Sequence, residues 1–290
     1  MVERSGTEDV DVIRVAGATY SFGDLDLDQS AGVLKQIGFE LANVGAATNR
    51  VAQIKAQEAA DDPDAQAARL RRVMDRNGLE PCSLNVRHFG TAINHPGPRV
   101  RERSRSMFDR VTTFARIAKF ESVIMLPGHV HHELGQTYEQ AFDTSVAELP
   151  GLLTVAGEKG LRCLFEPCVG SIAERPPDAL RLVEAVAGLG LTVDCAHQLQ
   201  IGFTQDEIET LYPHAGQIHA RQSAPGTLQV PADEGTIDFH RMIRKLKADG
   251  YDGVVCVAYE TNQDVLDAGW DVRRQTARLK QILEDALVED

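Results

Sequence analysis

Four acidic or imidazole side chains stand at the ends of successive β-like runs in the second half of the chain. The run 161–166 ends in Glu166, the run 191–194 in Asp194, the run 216–220 carries His219, and the run 251–260 ends in Glu260. Each has an ordinary structural explanation on its own. A carboxylate after a strand often caps the next helix, and a single strand histidine is usually a hydrogen-bonded core residue. Together they predict something else. If the strand ends converge, unpaired carboxylates repel one another and titrate upward, and a bound divalent cation removes that cost. The donor set is oxygen-rich with one or two imidazoles. That suits Mn²⁺, Mg²⁺, Co²⁺ or Zn²⁺ and is too hard for Cu(I). Further polar residues surround the set: His88 after the third run, His129, His131 and His132 after the fourth, His197 three residues after Asp194, and Arg221 and Gln222 after the seventh.

The elements that would position these groups alternate from end to end. Strand-like runs are expected at 12–16, 40–44, 81–86, 122–126, 161–166, 191–194, 216–220 and 251–260. Helices are expected at 28–37, 63–76, 100–118, 138–158, 178–187, 238–248 and 272–287, with a further helix beginning in a capping box of Thr204 and Glu207. Gly38, Asn77-Gly78, Gly160 and Gly250 supply helix stops. The stretch around 56–68 reads as a helix inside a long second βα connection. Strict alternation of strand and helix means a parallel sheet. Eight units in 290 residues predict an α/β fold, a single (β/α)₈ TIM barrel of eight parallel strands, with residues 1–10 a flexible N-terminus. An open doubly wound sheet is the alternative, but no G-x-G-x-x-G follows the first strand. In a barrel, reactive groups belong at the C-terminal strand ends, which is where the four donors lie.

Composition narrows the partners. The formal net charge of −13 argues against nucleic acid, whose phosphates need a basic surface. No apolar run approaches the roughly 18 residues of a membrane span, and the acidic N-terminus lacks a secretory h-region. The five cysteines (82, 163, 168, 195 and 256) sit in apolar runs without zinc-finger spacing, as expected of reduced thiols in a cytoplasmic protein.

Several segments carry a family resemblance: Leu164-Phe165-Glu166-Pro167, Val193-Asp194-Cys195-Ala196-His197, Gly216-Gln217-Ile218-His219, Gly235-Thr236-Ile237-Asp238-Phe239 and Gly250-Tyr251-Asp252-Gly253. In this order the chain resembles the xylose isomerase-like TIM-barrel superfamily of sugar isomerases, epimerases and related lyases, over nearly its whole length and most clearly from 161 onward. The resemblance implies a metal held by Glu166, Asp194, His219 and a strand-eight Glu, with Mn²⁺ the favoured ion. It implies Glu166 as a candidate base, His197 and His129 as proton-transfer or substrate groups, and His88, Arg221 and Gln222 as substrate contacts. The expected chemistry is proton abstraction beside a carbonyl through a metal-stabilised enediolate. Returning the proton elsewhere isomerises or epimerises a sugar, and losing a β-substituent makes a lyase. The ligands alone do not separate these.

The departure from the family lies in strand eight. Alignment on Gly250-Tyr251-Asp252-Gly253 puts Ala258 where the ligand Glu is expected. Glu260 is two residues on, hence on the same face but about 6–7 Å further along, and is expected to substitute as the fourth ligand and a catalytic carboxylate. Otherwise the metal has three protein ligands and extra water, or the barrel binds sugar without catalysis. Residues 221–239 also resemble subunits of C-glycoside deglycosidases, which act on oxidised glycosides with a small partner subunit. A lyase of that kind, or one like an inosose dehydratase, is the runner-up. Endonuclease IV shares the fold but requires an Asp-x-His after strand seven, which 223–239 lacks. The expected partners are a small-molecule sugar or derivative and, for assembly, a homo-oligomer or a small subunit.

Overall fold

The computed structural model describes residues 13–47, 53–86 and 93–289. Eight strands run parallel: β1 (Arg14–Ala18), β2 (Leu41–Ala47), β3 (Glu80–Asn85), β4 (Ser122–Met125), β5 (Arg162–Phe165), β6 (Gly190–Asp194), β7 (Ala215–Ala220) and β8 (Val254–Val257). Each pairs with its neighbours in sequence, and β1 pairs with both β2 and β8, so the sheet closes on itself. The predicted α/β TIM barrel is the observed fold. Around it lie α1 (Leu27–Ile37), α2 (Pro63–Asn77), α3 (Pro98–Ile117), α4 (Tyr138–Gly157), α5 (Pro176–Ala185), α6 (Phe239–Ala248) and α7 (Val272–Val288), with shorter helices between. No helix among the described residues is long and apolar enough to cross a membrane.

Side-chain alternation along each strand builds two cores. Val44, Leu84, Val123, Phe165, Val193, Ile218, Val255 and Val257 face outward and pack under the helices in the main core. Ala16, Ala18, Cys82, Val254, Cys256 and Ala258 form a second cluster inside the barrel. The inner set is small, so room remains near the axis for polar side chains of the same parity. Helix α1 approaches the sheet closely at Gly17, where a Cβ would stand 2.5 Å from Leu34 Cδ2.

The local signals act as the sequence reading expected. Thr204 and Glu207 form a reciprocal capping box, and Gly78, at φ +61, ends α2. The second βα connection contains a two-residue strand, Ile54–Lys55, on the edge of β2 and a helix Ala56–Asp61 before Asp62 caps α2. Most boundaries shift by one to three residues, as where β2 runs on to Ala47, and two shifts have visible causes. β1 begins at Arg14, whose amide donates to Gly253 O. β8 spans only Val254–Val257, far shorter than 251–260. Before it, the Tyr251 hydroxyl folds back to donate to Val254 O at 2.8 Å. After it, Ala258 N still donates to Ala220 O, and then Tyr259 turns outward to donate its hydroxyl to Val230 O at 3.1 Å. Both flanks of the strand thus carry a Tyr whose hydroxyl is held by a backbone carbonyl.

Candidate metal centre and active site

Parity fixes which side chains reach the axis. Glu166 is the first residue beyond β5, and its amide donates to Met125 O to continue the ladder. Asp194 closes β6 and lies in register with His219 of β7. All three are buried, and one donor atom from each lies within 4.8 Å of the other two. His219 Nδ1 is 3.1 Å from Glu166 Oε1. Asp194 also caps the short helix Cys195–Gln200, accepting from Ala196 N through Oδ1 at 3.1 Å. That helix carries His197, whose Nε2 stands 3.9 Å from Glu166 Oε1 and 3.8 Å from Asp194 Oδ2.

A guanidinium sits over this group. Arg221, two residues after His219 and so on the same face, is only 1% exposed. Its Nε and Nη2 donate to Asp194 Oδ2 at 2.9 and 2.5 Å, Nη2 lies 3.4 Å from His197 Nε2, and Nη1 donates to Glu260 Oε1 at 3.4 Å. Burial pushes the Asp194 carboxyl up, but Arg221 and His197 outweigh it and hold Asp194 below the usual carboxylate range. On β8 the residue level with His219 is Cys256, whose thiol is pushed well above its ordinary value by burial and by Cys82 beneath it.

The donor set fits a divalent cation. Metal–donor distances of about 2.0–2.2 Å require donors about 3–4 Å apart, and the three groups are already close to that. A ligating His219 Nδ1 must be unprotonated, so Nε2 must carry the proton. Nε2 now faces Asn43 Nδ2 at 3.0 Å and Gln217 Nε2 at 3.2 Å. Asn43 Oδ1 is buried without a hydrogen-bond partner. Turning the Asn43 amide over sets that oxygen on Nε2–H and frees the Nδ1 lone pair. An imidazole ligand oriented by a neighbouring acceptor is the usual arrangement at protein metal sites.

A family model described as a xylose isomerase-like TIM barrel matches residues 31–282. The chain belongs to that family. An uncharacterized protein of Methanocaldococcus jannaschii is 24% identical over 176 residues, covering 58% of this chain, and the chain spans about half of that relative's length (56%). Three solved structures share the fold of this xylose isomerase-like barrel. D-psicose 3-epimerase with D-tagatose from Clostridium cellulolyticum H10 superposes with a TM-score of 0.77 at 12% identity, over 95% of this chain and 99% of that one. A probable 3-DHS dehydratase involved in petrobactin synthesis from Bacillus anthracis gives 0.70 at 14%, over 92% and 99%. The IOLI protein with a binding zinc atom gives 0.70 at 15%, over 95% and 98%.

The other residues singled out from the sequence of this xylose isomerase-like barrel fall in different places. Glu260 lies beyond β8 with its carboxylate on Arg221 and its side chain 31% exposed, outside the group of three converging donors. Ala258 faces the barrel interior. Gln222, expected to touch substrate, is buried and spends its carboxamide on the backbone, accepting from Ser223 N and Ile237 N and donating to Ile237 O. It clamps the long loop after β7. His129 packs on His131 with ring centroids 4.1 Å apart, and no hydrogen bond joins it to the three donors. Burial and His131 hold its pKa below the ordinary histidine value. His88 lies outside the described residues. Sequence reasoning missed Asn43 and Gln217. The signal was present as a polar residue at an inward position of each strand, Asn43 alone in Leu41-Ala42-Asn43-Val44 and Gln217 two residues before His219 in Gln217-Ile218-His219.

Proposed function

We propose that this barrel is a divalent-metal-dependent enzyme of the isomerase or epimerase type, acting on a sugar or sugar derivative. Glu166, Asp194 and His219 are the metal ligands, and Mn²⁺ is the ion their oxygen-rich set favours. The observation that carries the reading is the convergence of these three buried donors at the C-terminal strand ends, beneath an immobilised guanidinium. A bound divalent ion supplies Lewis acidity, polarising a substrate carbonyl and lowering the cost of removing the proton beside it. The chain's own groups do the rest. Glu166, with Oε1 between His219 and His197, takes the proton from carbon. His197 Nε2, at the edge of the same cluster, holds or returns it. Arg221 offers N–H donors to a substrate oxygen, and its grip on Asp194 keeps that carboxylate ionised and aimed inward. The five cysteines are all buried and none is in a disulfide, which suits the cytoplasm.

Proton abstraction beside a carbonyl is shared by isomerases, epimerases and dehydrating lyases, and the lyase is the runner-up. One experiment catches all three. The Mn²⁺-loaded protein is incubated with ketohexoses and their 3-keto glycosides in D₂O, and deuterium at the carbon beside the carbonyl is read by NMR. Exchange with a sugar product identifies an isomerase or epimerase, and exchange with loss of water or aglycone identifies a lyase. Stoichiometric Mn²⁺ binding without exchange in any substrate would reduce the barrel to a sugar or metal carrier. No Mn²⁺ binding, or equal binding by Asp194→Asn, would remove the proposed ligand set.

A further inference from the structure

Between the loop after β7 and the short helix Gln263–Ala268 lies a cavity of about 410 Å³. That is within the roughly 300–1,000 Å³ range of small-molecule pockets. Trp270, Val230 and Pro231 supply its apolar wall, Glu234 and Asp264 its carboxylates, and Thr227 and Gln229 its neutral polar groups. No Lys or Arg lines it. A phosphorylated or acidic ligand would therefore meet two carboxylates without a cation, and is excluded on charge. The chemistry left is that of a ring with an apolar face and hydroxyl donors.

The cavity is coupled to the metal centre by fixed contacts. Buried Gln229 grips Glu260 at both backbone groups, donating to its O at 2.7 Å and accepting from its N at 3.0 Å. The Glu260 carboxylate meets Arg221, which holds Asp194. Tyr259 braces the wall. Its hydroxyl donates to Val230 O and accepts from Gln222 N at 3.2 Å, while its ring packs edge-on against Trp270 at 5.7 Å and 75°. The indole is thus held in place by a buried neighbour, and little entropy remains to be lost when a ligand stacks on it.

We infer that this cavity is a second sugar-ring subsite, so that the substrate of the centre is a neutral glycoside or disaccharide rather than a free monosaccharide. One ring lies at the metal, and the other stacks on Trp270 with its hydroxyls donating to Glu234 and Asp264. The inference rests on the sugar-processing reading of the centre.

Trp270 is the only tryptophan in the chain, so tryptophan emission reports on the surroundings of this one indole; because Trp270 also borders a second cavity with Phe22, Asp24 and Arg273, the variant at Glu234 and Asp264, which line only the first, assigns the response. Mn²⁺-loaded protein is titrated with cellobiose, methyl β-D-glucopyranoside, D-fructose and choline, following tryptophan emission. Cellobiose or the methyl glucoside should shift or quench the emission saturably in the millimolar range, with D-fructose and choline at least about tenfold weaker. The double variant Glu234→Gln/Asp264→Asn should weaken the glycoside response about tenfold or more while its emission without ligand and its circular dichroism match the parent. Unmoved emission with either glycoside, an equal response to D-fructose, or an unaltered response in the double variant would overturn the subsite. A response to choline alone would make the cavity an organic-cation site, since ammonium groups also favour an indole between carboxylates. Mn²⁺ binding is measured on the same samples, so failure of the subsite is distinguished from failure of the metal centre.

Discussion

Arg221→Met tests whether the buried guanidinium holds the centre together before any metal arrives. Arg221 and Asp194 are each 1% exposed, so removing the cation strands a carboxylate that water cannot reach. Breaking a buried pair from one side costs about 3–5 kcal/mol. Unfolding entropy of about 2.1 cal/mol/K per residue over 290 residues gives about 0.6 kcal/mol/K. The expected fall in Tm, in EDTA, is therefore roughly 5–8 °C. Adding Mn²⁺ should then stabilise the variant more than the parent, because a divalent cation can take over the role of the missing guanidinium and no longer meets its repulsion. An ion at about 100 times its Kd returns about 2.7 kcal/mol, or roughly 4 °C on the same scale. The double variant Arg221→Met/Asp194→Asn should recover at least half of the EDTA loss, since neither partner leaves a charge behind. Differential scanning calorimetry of the three proteins with EDTA and with Mn²⁺ measures all of this. A fall in Tm below about 2 °C, or a Mn²⁺ shift in the variant no larger than the parent's, would refute the reasoning.

Asn43→Ala removes the amide that orients His219 and should weaken Mn²⁺ binding about 10–100-fold with little change in Tm, read by isothermal titration. Glu260→Gln should leave Mn²⁺ affinity within about threefold of the parent, less than about 0.7 kcal/mol, because that carboxylate faces Arg221; a larger loss would make Glu260 a ligand. Gly17→Ala drives a methyl to 2.5 Å from Leu34 Cδ2 and should cost about 1–3 kcal/mol, seen as a shifted urea midpoint. Burial pushes the thiol of Cys82 up to about 11 and that of Cys195 up to about 12, and raises those of Cys163 and Cys256 as well, so a thiol–disulfide exchange reagent at pH 8 should label none of these four in the folded protein and all four in guanidinium.

How far the sequence reaches depends on whether the cue is local. Alternation of strand and helix is local, and it led to eight strands and a closed barrel because βα units in this number admit few other arrangements. Parity is local as well. Knowing that Ile218 and Val193 point outward is enough to turn His219 and Asp194 inward. The end of β8 is not local. Beyond Val254–Val257, Tyr259 is held by Val230 and Gln222, residues 29 and 37 positions away, and no pattern near 258 announces that contact. The same holds for Gln222, whose carboxamide is claimed by Ile237 across the loop. Asn43 illustrates a third case. Its inward position was legible, but its function depends on a histidine 176 residues distant, and only the closed barrel brings strand two opposite strand seven.

The charge of the centre explains why Arg221 and a metal are partners as well as competitors. Glu166, Asp194 and Glu260 gather three carboxylates near the mouth, and Arg221 returns one positive charge. With all three ionised, two negative charges remain. A centre with no internal cation would confine three carboxylates and could fold only by protonating them or by waiting for an ion. The guanidinium offsets one of those charges from within the chain. The two charges left over match a divalent cation and would be overcompensated by a trivalent one. Among the described residues the three converging donors come from the ends of β5, β6 and β7, while on the β8 side Ala258 offers no side-chain oxygen and the Glu260 carboxylate lies on Arg221. Under the proposed function, substrate would approach from that side, where Gln229 joins the Glu260 backbone to the wall of the Trp270 cavity.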